Sequence, residues 1–147
     1  MSDYISGMRI SSSGMTAQRA RLNAISSNIA NINTTQTPEG GPYRRKDVVF
    51  EAMPDARNFG EILTSSNPKS NMQRVQVTDV VSDLKAPLMK YDPDHPDANP
   101  EGYVAYPNIN IMEEMTNMLQ ATRAYEANVS ALQASKDMAM SALELGR

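Results

Sequence analysis

The chain has 147 residues, of which 40% are hydrophobic and 5% aromatic, and it carries a formal net charge of −3. Its length fits one ordinary domain, or one small domain with extended elements, and so few aromatic residues supply little material for a large core. The negative charge argues against general nucleic-acid binding. The absence of Cys excludes a disulfide framework, and no apolar run is long enough to span a membrane.

The first predicted element is a helical segment within residues 1–35. Its apolar residues recur in the pattern of a coiled-coil seam, at Met8, Met15, Leu22, Ile25, Ile29 and Ile32. Residues 11–14 (Ser-Ser-Ser-Gly) interrupt this pattern with poor helix formers. The sequence therefore predicts a firm helix over about residues 15–31, preceded by a weaker turn or a kinked helix. The start of the chain lacks a basic leader followed by an apolar stretch, so it does not predict a cleavable secretory signal.

The middle of the chain, residues 36–107, is predicted to be a small β-rich insert. Short runs of apolar and β-branched residues predict strands at 43–51, 74–81, 88–91 and 103–106. The polar stretch 53–70 is predicted to be a loop with at most a short helical turn. Residues 92–102 contain three prolines and are predicted to be an irregular surface loop.

The last predicted element is a long helix over residues 108–145, which contain neither Gly nor Pro. Its seam follows alternating steps of four and three residues: Ile111, Met115, Met118, Thr122, Tyr125, Val129, Leu132, Lys136, Ala139 and Leu143. Asn108 or Asn110 could cap the helix, and Glu113 and Glu114 suit its first turn. Thr122 and Lys136 either lie at the wet edge of the stripe or fix the register between packed helices.

These elements predict an α+β fold: long N- and C-terminal helices forming a coiled-coil-like hairpin, with a small β-rich insert between them. The predicted domains are an N-terminal helical segment (1–35), the insert (36–107) and the C-terminal long helix (108–147). At 1.5 Å per residue the last helix would be roughly 57 Å long, more than this chain can cover alone. Much of its partner surface is therefore expected to come from other molecules. The 11 methionines suit such adaptable interfaces, unless they only replace Leu in an ordinary core.

Residues that could carry chemistry are scarce. His95 is the only His, and the chain has no Cys or second His to complete a zinc site. Oxygen-bearing side chains between Asp92 and Glu101 suggest calcium, but Asp97 stands where a calcium loop requires Gly. The sequence predicts no enzyme, no cofactor and no metal site. Arg44, Arg45 and Lys46 form a basic cluster, predicted to make lateral contacts with an acidic neighbouring subunit.

Three stretches of the chain, residues 11–51, 91–115 and 121–147, resemble the flagellar basal-body rod proteins, the axial family of rod, hook and hook-associated subunits. The stretch SSNIAN at 26–31 is similar to the N-terminal signature of that family, and RAYEAN at 123–128 is shared across several members. Within the family, the short chain length and three middle segments resemble the proximal rod subunits. These segments are residues 38–45, 92–96 and 102–108.

The resemblance implies a structural subunit of the cell-proximal rod, the driveshaft that transmits torque and forms part of the export channel wall. It implies export through the flagellar type III apparatus without a cleaved signal, followed by assembly in the periplasm. The implied partners are copies of the chain, other proximal and distal rod subunits, the membrane-ring/rod adaptor and the export apparatus.

The predicted subunit interface combines the two seams with the asparagines of the signature stretches. It consists of Met15, Leu22, Ile25, Asn28, Ile29, Asn31, Ile32, Ile111, Met115, Met118, Tyr125, Asn128, Val129, Leu132 and Leu143. Our hypothesis is that the terminal segments are partly disordered in the monomer and fold when they pack against neighbours. The alternative is a non-polymerising helical-hairpin adaptor or secretion chaperone, which predicts a fully folded discrete monomer or dimer.

Overall fold

The structure, a computed structural model, describes residues 2–54 and 73–145, and the side chains of residues 6–53 and 73–144. Its elements in chain order are α1 (Ser2–Ala30), β1 (Lys46–Pro54), β2 (Gln73–Ser82), β3 (Leu88–Tyr91), β4 (Tyr103–Tyr106) and α2 (Ile111–Leu145). The predicted α+β class, with two long helices and a small β insert between them, is confirmed.

Helix α1 is continuous through residues 11–14, so of the two predicted alternatives for this segment the turn is wrong. The Ser13 hydroxyl donates to the Ile10 carbonyl at 2.7 Å, which satisfies the hydroxyl within the helix. Gly14 faces α2, where an added Cβ would lie 3.0 Å from Oδ1 of Asn128. The glycine therefore permits close helix approach, and this packing outweighs the low helix propensity of the segment.

Helix α2 begins after Asn110, whose Oδ1 accepts a hydrogen bond from the Met112 N–H at 3.0 Å. This is the N-cap arrangement, so Asn110 is the cap among the two predicted candidates. Asn108 instead donates to the Ala86 carbonyl at 3.3 Å. The two helices run antiparallel, since Asn28 near the end of α1 meets Glu114 at the start of α2.

Strands β1 and β2 form an antiparallel ribbon that lies against α1. A bulge shifts the register: Val49 lies opposite Asp79, whereas Phe50 lies opposite Val77. The first predicted strand begins at Lys46 instead of Tyr43 and extends to Pro54. Residues 53 and 54 of the predicted loop therefore belong to β1, and residues 55–70 of that prediction lie outside the described residues.

Strands β3 and β4 form a second antiparallel ribbon, which packs against none of the other described helices and strands. Both occupy their predicted positions. In the predicted loop between them, Oδ1 of Asn99 accepts hydrogen bonds from the N–H groups of Glu101 and Tyr103. Gly102 adopts a φ of 80° there, a conformation that favours glycine.

The apolar core is small and divided between the helix pair and the two ribbons. Among the described residues, its buried hydrophobic members are Ala17, Ile25, Val48, Val104, Ile109 and Ala121. None of these side chains is aromatic, in keeping with a composition that supplies little bulk.

Candidate assembly surfaces

A polar joint, formed by Asn28, Arg45, Glu114 and the backbone of Lys46, connects α1, α2 and the start of β1. Asn28 is fully buried, and its side chain pairs with both polar groups of the Lys46 backbone. Its Nδ2 donates to the Lys46 carbonyl at 2.9 Å, and its Oδ1 accepts from the Lys46 N–H at 2.8 Å. The side-chain amide thus pairs with the Lys46 backbone as a neighbouring strand would, and it connects the end of α1 to β1.

The carboxylate of Glu114 occupies the centre of the polar joint. One oxygen accepts from Nδ2 of Asn28 at 3.0 Å, and the other accepts from Nε of Arg45 at 2.8 Å. Only 1% of the Glu114 surface is exposed, so these two hydrogen bonds replace its contact with water. The carboxylate also lies in the first turn of α2, where the helix dipole favours negative charge.

Arg45 links the buried carboxylate to the surface, because its Nη1 also donates to Asp47 at 3.0 Å. Burial alone would lower the pKa of Arg45, but the hydrogen bonds to Asp47 and Glu114 outweigh it and raise that pKa. Burial alone would raise the pKa of Asp47, but the hydrogen bond from Arg45 lowers it below its ordinary value of 3.8. Both groups are therefore held in their charged forms.

The seam of α2 that faces α1 is displaced by about one residue from the predicted one. Glu114 and Ala121 are buried, and Asn128 lies against Gly14, seven residues further along. Small and polar residues thus occupy half of the inner positions, and Met115, beside the buried Glu114, is exposed.

An outer stripe of apolar residues is exposed along the first three turns of α2. Its members are Ile111, Met112, Met115 and Leu119, with exposures of 45%, 69%, 51% and 62%. At 3.6 residues per turn, these four side chains fall within an arc of about 100°. An exposed apolar stripe of this kind is a candidate contact surface for another macromolecule.

The predicted interface residues of the N-terminal segment divide by burial. Ile25 and Asn28 are buried within the chain, so their side chains contact other parts of the same molecule. Asn31 donates from Nδ2 to the Ser27 carbonyl at 2.9 Å. The half-buried members of the predicted set are Met15, Leu22, Ile29, Asn31 and Ile32. Each of these five retains some exposed surface.

The predicted interface residues of the C-terminal helix divide in the same way. Ile111, Met115 and Leu143 are exposed. The half-buried members are Met118, Tyr125, Asn128, Val129 and Leu132. Of the basic cluster, Arg44 and Lys46 are exposed, whereas Arg45 is turned inward to Glu114. As an interface, the set stays a proposal.

The candidate metal-binding side chains are used in local structure. Asp97 accepts from the Thr35 hydroxyl at 2.7 Å, and Nδ1 of His95 accepts from the Asp97 N–H at 3.1 Å. Across residues 2–54 and 73–145, no three His, Asp or Glu side chains are grouped so that they could hold a metal ion. Neither described helix contains a stretch that is long and apolar enough to cross a membrane.

Comparison with known proteins assigns the two helices and their flanks to known families. Residues 8–36 match the family described as "Flagella basal body rod protein", and residues 101–145 match "Flagellar basal body rod FlgEFG protein C-terminal". The chain is 43% identical to the flagellar basal-body rod protein FlgC of Borreliella burgdorferi, with 95% of each chain covered. It is 41% identical to FlgC of Bacillus subtilis, over 95% of this chain and 96% of the relative.

A third relative, FlgC of Escherichia coli O6:H1, is 38% identical over 94% of both chains. The chain belongs to the flagellar basal-body rod protein family. The resemblance read from the sequence is thereby confirmed. The two matched segments contain most of α1 and all of α2, so the matched regions coincide with the packed helix pair.

The polar joint of this rod-family chain was not found by sequence reasoning. Glu114 was predicted only as a favourable first-turn residue, and Asn28 only as an interface residue. A signal was present: Glu114, Ala121, Asn128 and Ser135 are spaced seven residues apart, which marks a second seam beside the apolar one. Met112 and Leu119 of the outer stripe were missed because they lie off the predicted seam.

Proposed function

We propose that the chain is a structural subunit of the bacterial flagellar basal-body proximal rod and polymerises through its terminal helices. Membership of the rod protein family supports the structural role. The single observation that carries polymerisation is the outer stripe, which leaves four large apolar residues exposed on α2 while Glu114 is buried on its inner side.

The exposed apolar surface of the outer stripe can supply free energy for association. Burial of apolar surface contributes roughly 25 cal/mol per Å², so an uncovered stripe is a source of association free energy. Methionine adapts its shape to an irregular partner, and two of the four stripe residues are Met. When the surfaces that meet differ between subunits, the contact is heterologous and can extend into a helical tube.

The same proposal includes the subunit's place in the flagellum. Export through the flagellar type III apparatus without a cleaved signal would be followed by assembly in the periplasm. There the subunit would contact copies of itself, other proximal and distal rod subunits and the membrane-ring/rod adaptor. The assembled rod would transmit torque and line part of the export channel. The role is structural, not catalytic.

We also propose that the terminal helices gain order during assembly. The helices approach closely at Gly14 and Asn128, and the buried hydrophobic residues of the two helices include the small Ala17 and Ala121. Limited proteolysis of the purified monomer tests this proposal. Rapid loss of both ends would support it, whereas full protection at low concentration would favour a compact adaptor or secretion chaperone.

Replacing one residue of the outer stripe tests polymerisation. Met115→Glu places a charge on the stripe, and Gln120→Glu is a matched control because Gln120 is exposed on another side of α2. Each variant replaces the native subunit in the source bacterium. Met115→Glu should abolish swimming and rod formation while changing the free energy of unfolding by less than about 0.5 kcal/mol. Gln120→Glu should retain both. Normal rods with Met115→Glu would contradict the proposal.

A further inference from the structure

The β3–β4 ribbon has one partly covered face and one open face. On the partly covered face, Val104 is 1% exposed and the ring of Tyr106 lies 6.3 Å from that of His95, whereas Leu88 is 54% exposed. The open face carries Met89, Tyr91 and Tyr103, all of which are exposed. Tyr91 and Tyr103 lie directly opposite each other in the ribbon, so they share this face. The open face therefore presents apolar surface outside the helices.

The two tyrosine rings of the open face are supported by contacts within the chain. The rings of Tyr91 and Tyr103 meet edge to face, with centroids 5.3 Å apart. A Cβ on Gly102 would come within 2.8 Å of the Tyr91 ring, so the ring lies directly on the glycine. Side chains that are ordered before binding lose little conformational entropy when a partner covers them. Tyr and Met are also enriched at protein interfaces.

Uncompensated acidic charge borders the open face. The loop at 92–102, which joins its two strands, contains four acidic residues and neither Lys nor Arg. Asp94 and Glu101 are exposed there. Within the described part of the chain, neither of them lies in a salt bridge. This border is therefore suited to a basic partner.

The matching basic charge lies elsewhere on the same insert. Arg44 and Lys46 are exposed on either side of the inward-turned Arg45. Lys46 lies near the Tyr43 ring at 5.8 Å, and in the described segments neither residue has a carboxylate within salt-bridge distance. One chain thus carries an acidic surface and a basic edge that do not pair with each other.

We propose that the open face, with Asp94 and Glu101, docks on the Arg44–Lys46 edge of a second copy of this chain. Charge complementarity identifies a second copy as the partner, because the same chain carries both the acidic and the basic residues. In the described residues neither group forms a salt bridge. The contact is heterologous, so it adds a lateral link between neighbouring subunits without closing a dimer. This inference rests on the proposed polymerisation but uses a surface separate from the helices.

Charge reversal with rescue tests the inference in assembled rods. Asp94→Lys with Glu101→Lys, or Arg44→Glu with Lys46→Glu, should each lower rod yield about fivefold, because like charges then meet across the contact. All four substitutions together should restore most of the yield. Glu51→Lys with Asp79→Lys is the control, since it makes the same charge change on the exposed surface of the other ribbon.

Cross-linking identifies the occupant directly, because the native chain has no Cys. Two populations are co-expressed, one with Glu101→Cys and the other with Lys46→Cys, and isolated rods are oxidised. The expected product has twice the 16.2 kDa mass of the chain and is absent when either population is used alone. A product of another mass would assign the face to a different rod protein and overturn the proposal, as would no product.

The outcomes separate this inference from the proposed function. If Met115→Glu abolishes rods while both charge reversals leave the yield unchanged, polymerisation through the helices stands and the lateral contact is wrong. If Met115→Glu builds normal rods, the proposed function fails whatever the charge reversals do. If the rod yield falls in both double variants and the variant with all four substitutions does not restore it, the proposed pairing of the acidic and basic surfaces is also wrong.

Discussion

The inner and outer sides of the first turns of α2 differ in a way opposite to an ordinary surface helix. The inner side buries the carboxylate of Glu114, whereas the outer side exposes Met112, Met115 and Leu119. If this helix packed only against its own chain, turning the methionines inward would bury more apolar surface and stabilise the fold more. Polar contacts thus fix the helix within the chain, whereas its apolar surface stays exposed and is the surface through which we propose that the chain assembles.

The largest effect on stability is expected at the inner side. Glu114→Ala removes the carboxylate and leaves Arg45 and the Asn28 amide without their buried acceptor. Loss of one member of a buried ion pair should lower the free energy of unfolding by about 3 kcal/mol, measured by urea denaturation. Glu113→Ala is the matched control, since Glu113 is the exposed neighbour in the same turn. Equal stability of the two variants would contradict the role of the polar joint.

A smaller effect is expected where the two helices approach most closely. Gly14→Val places a side chain against the Asn128 amide and should cost about 2 kcal/mol through overpacking. Gly7→Val provides the control, because a Cβ there meets nothing within 4 Å. The double variant Gly14→Val with Asn128→Ala should regain most of the lost stability, measured by thermal unfolding. If Gly7→Val and Gly14→Val are equally destabilised, close approach at Gly14 is not the cause.

The smallest effect is expected at the exposed end of the polar joint, where Asp47 has a lowered pKa in the folded protein. Its contribution to stability is therefore fully present above pH 3.8 and is lost as the pH falls through the folded-state pKa. The stability difference between wild type and Asp47→Asn should be small, because the carboxylate is more than half exposed. Urea denaturation at several pH values should show that this stability difference is constant near neutral pH and decreases below about pH 4. A difference that grows in acid would contradict this sign.

The elements of the fold could be predicted from the sequence because each leaves a local pattern. The long α2 follows from its lack of Gly and Pro, and β3 and β4 follow from short apolar runs between turn signals. The turn that was one alternative for residues 11–14 is wrong, because Gly14 contacts α2 and helix propensity does not account for such a tertiary contact. Local patterns therefore predicted which elements exist, and packing decided how they continue.

The candidate assembly surfaces were harder to predict, because they depend on which of two adjacent stripes of α2 faces α1. Met118 and Leu132 belong to both the predicted and the observed seam, but Met115 is outward where Glu114 is inward. Apolar periodicity alone favours Met115 at the inner position. Glu114 takes the inner position because Asn28, 86 residues away in sequence, donates a buried hydrogen bond to its carboxylate.

The most direct test of the account is the accessibility of position 115 in the monomer and in the assembled rod. Met115→Cys gives the chain a single thiol, whose labelling rate is measured in purified monomer and in isolated basal bodies. Labelling after denaturation provides the full signal in both samples. We expect rapid labelling in the monomer and at least about tenfold slower labelling in the rod, because a neighbouring subunit covers the outer stripe. Equal rates in the two samples would contradict assembly through this surface.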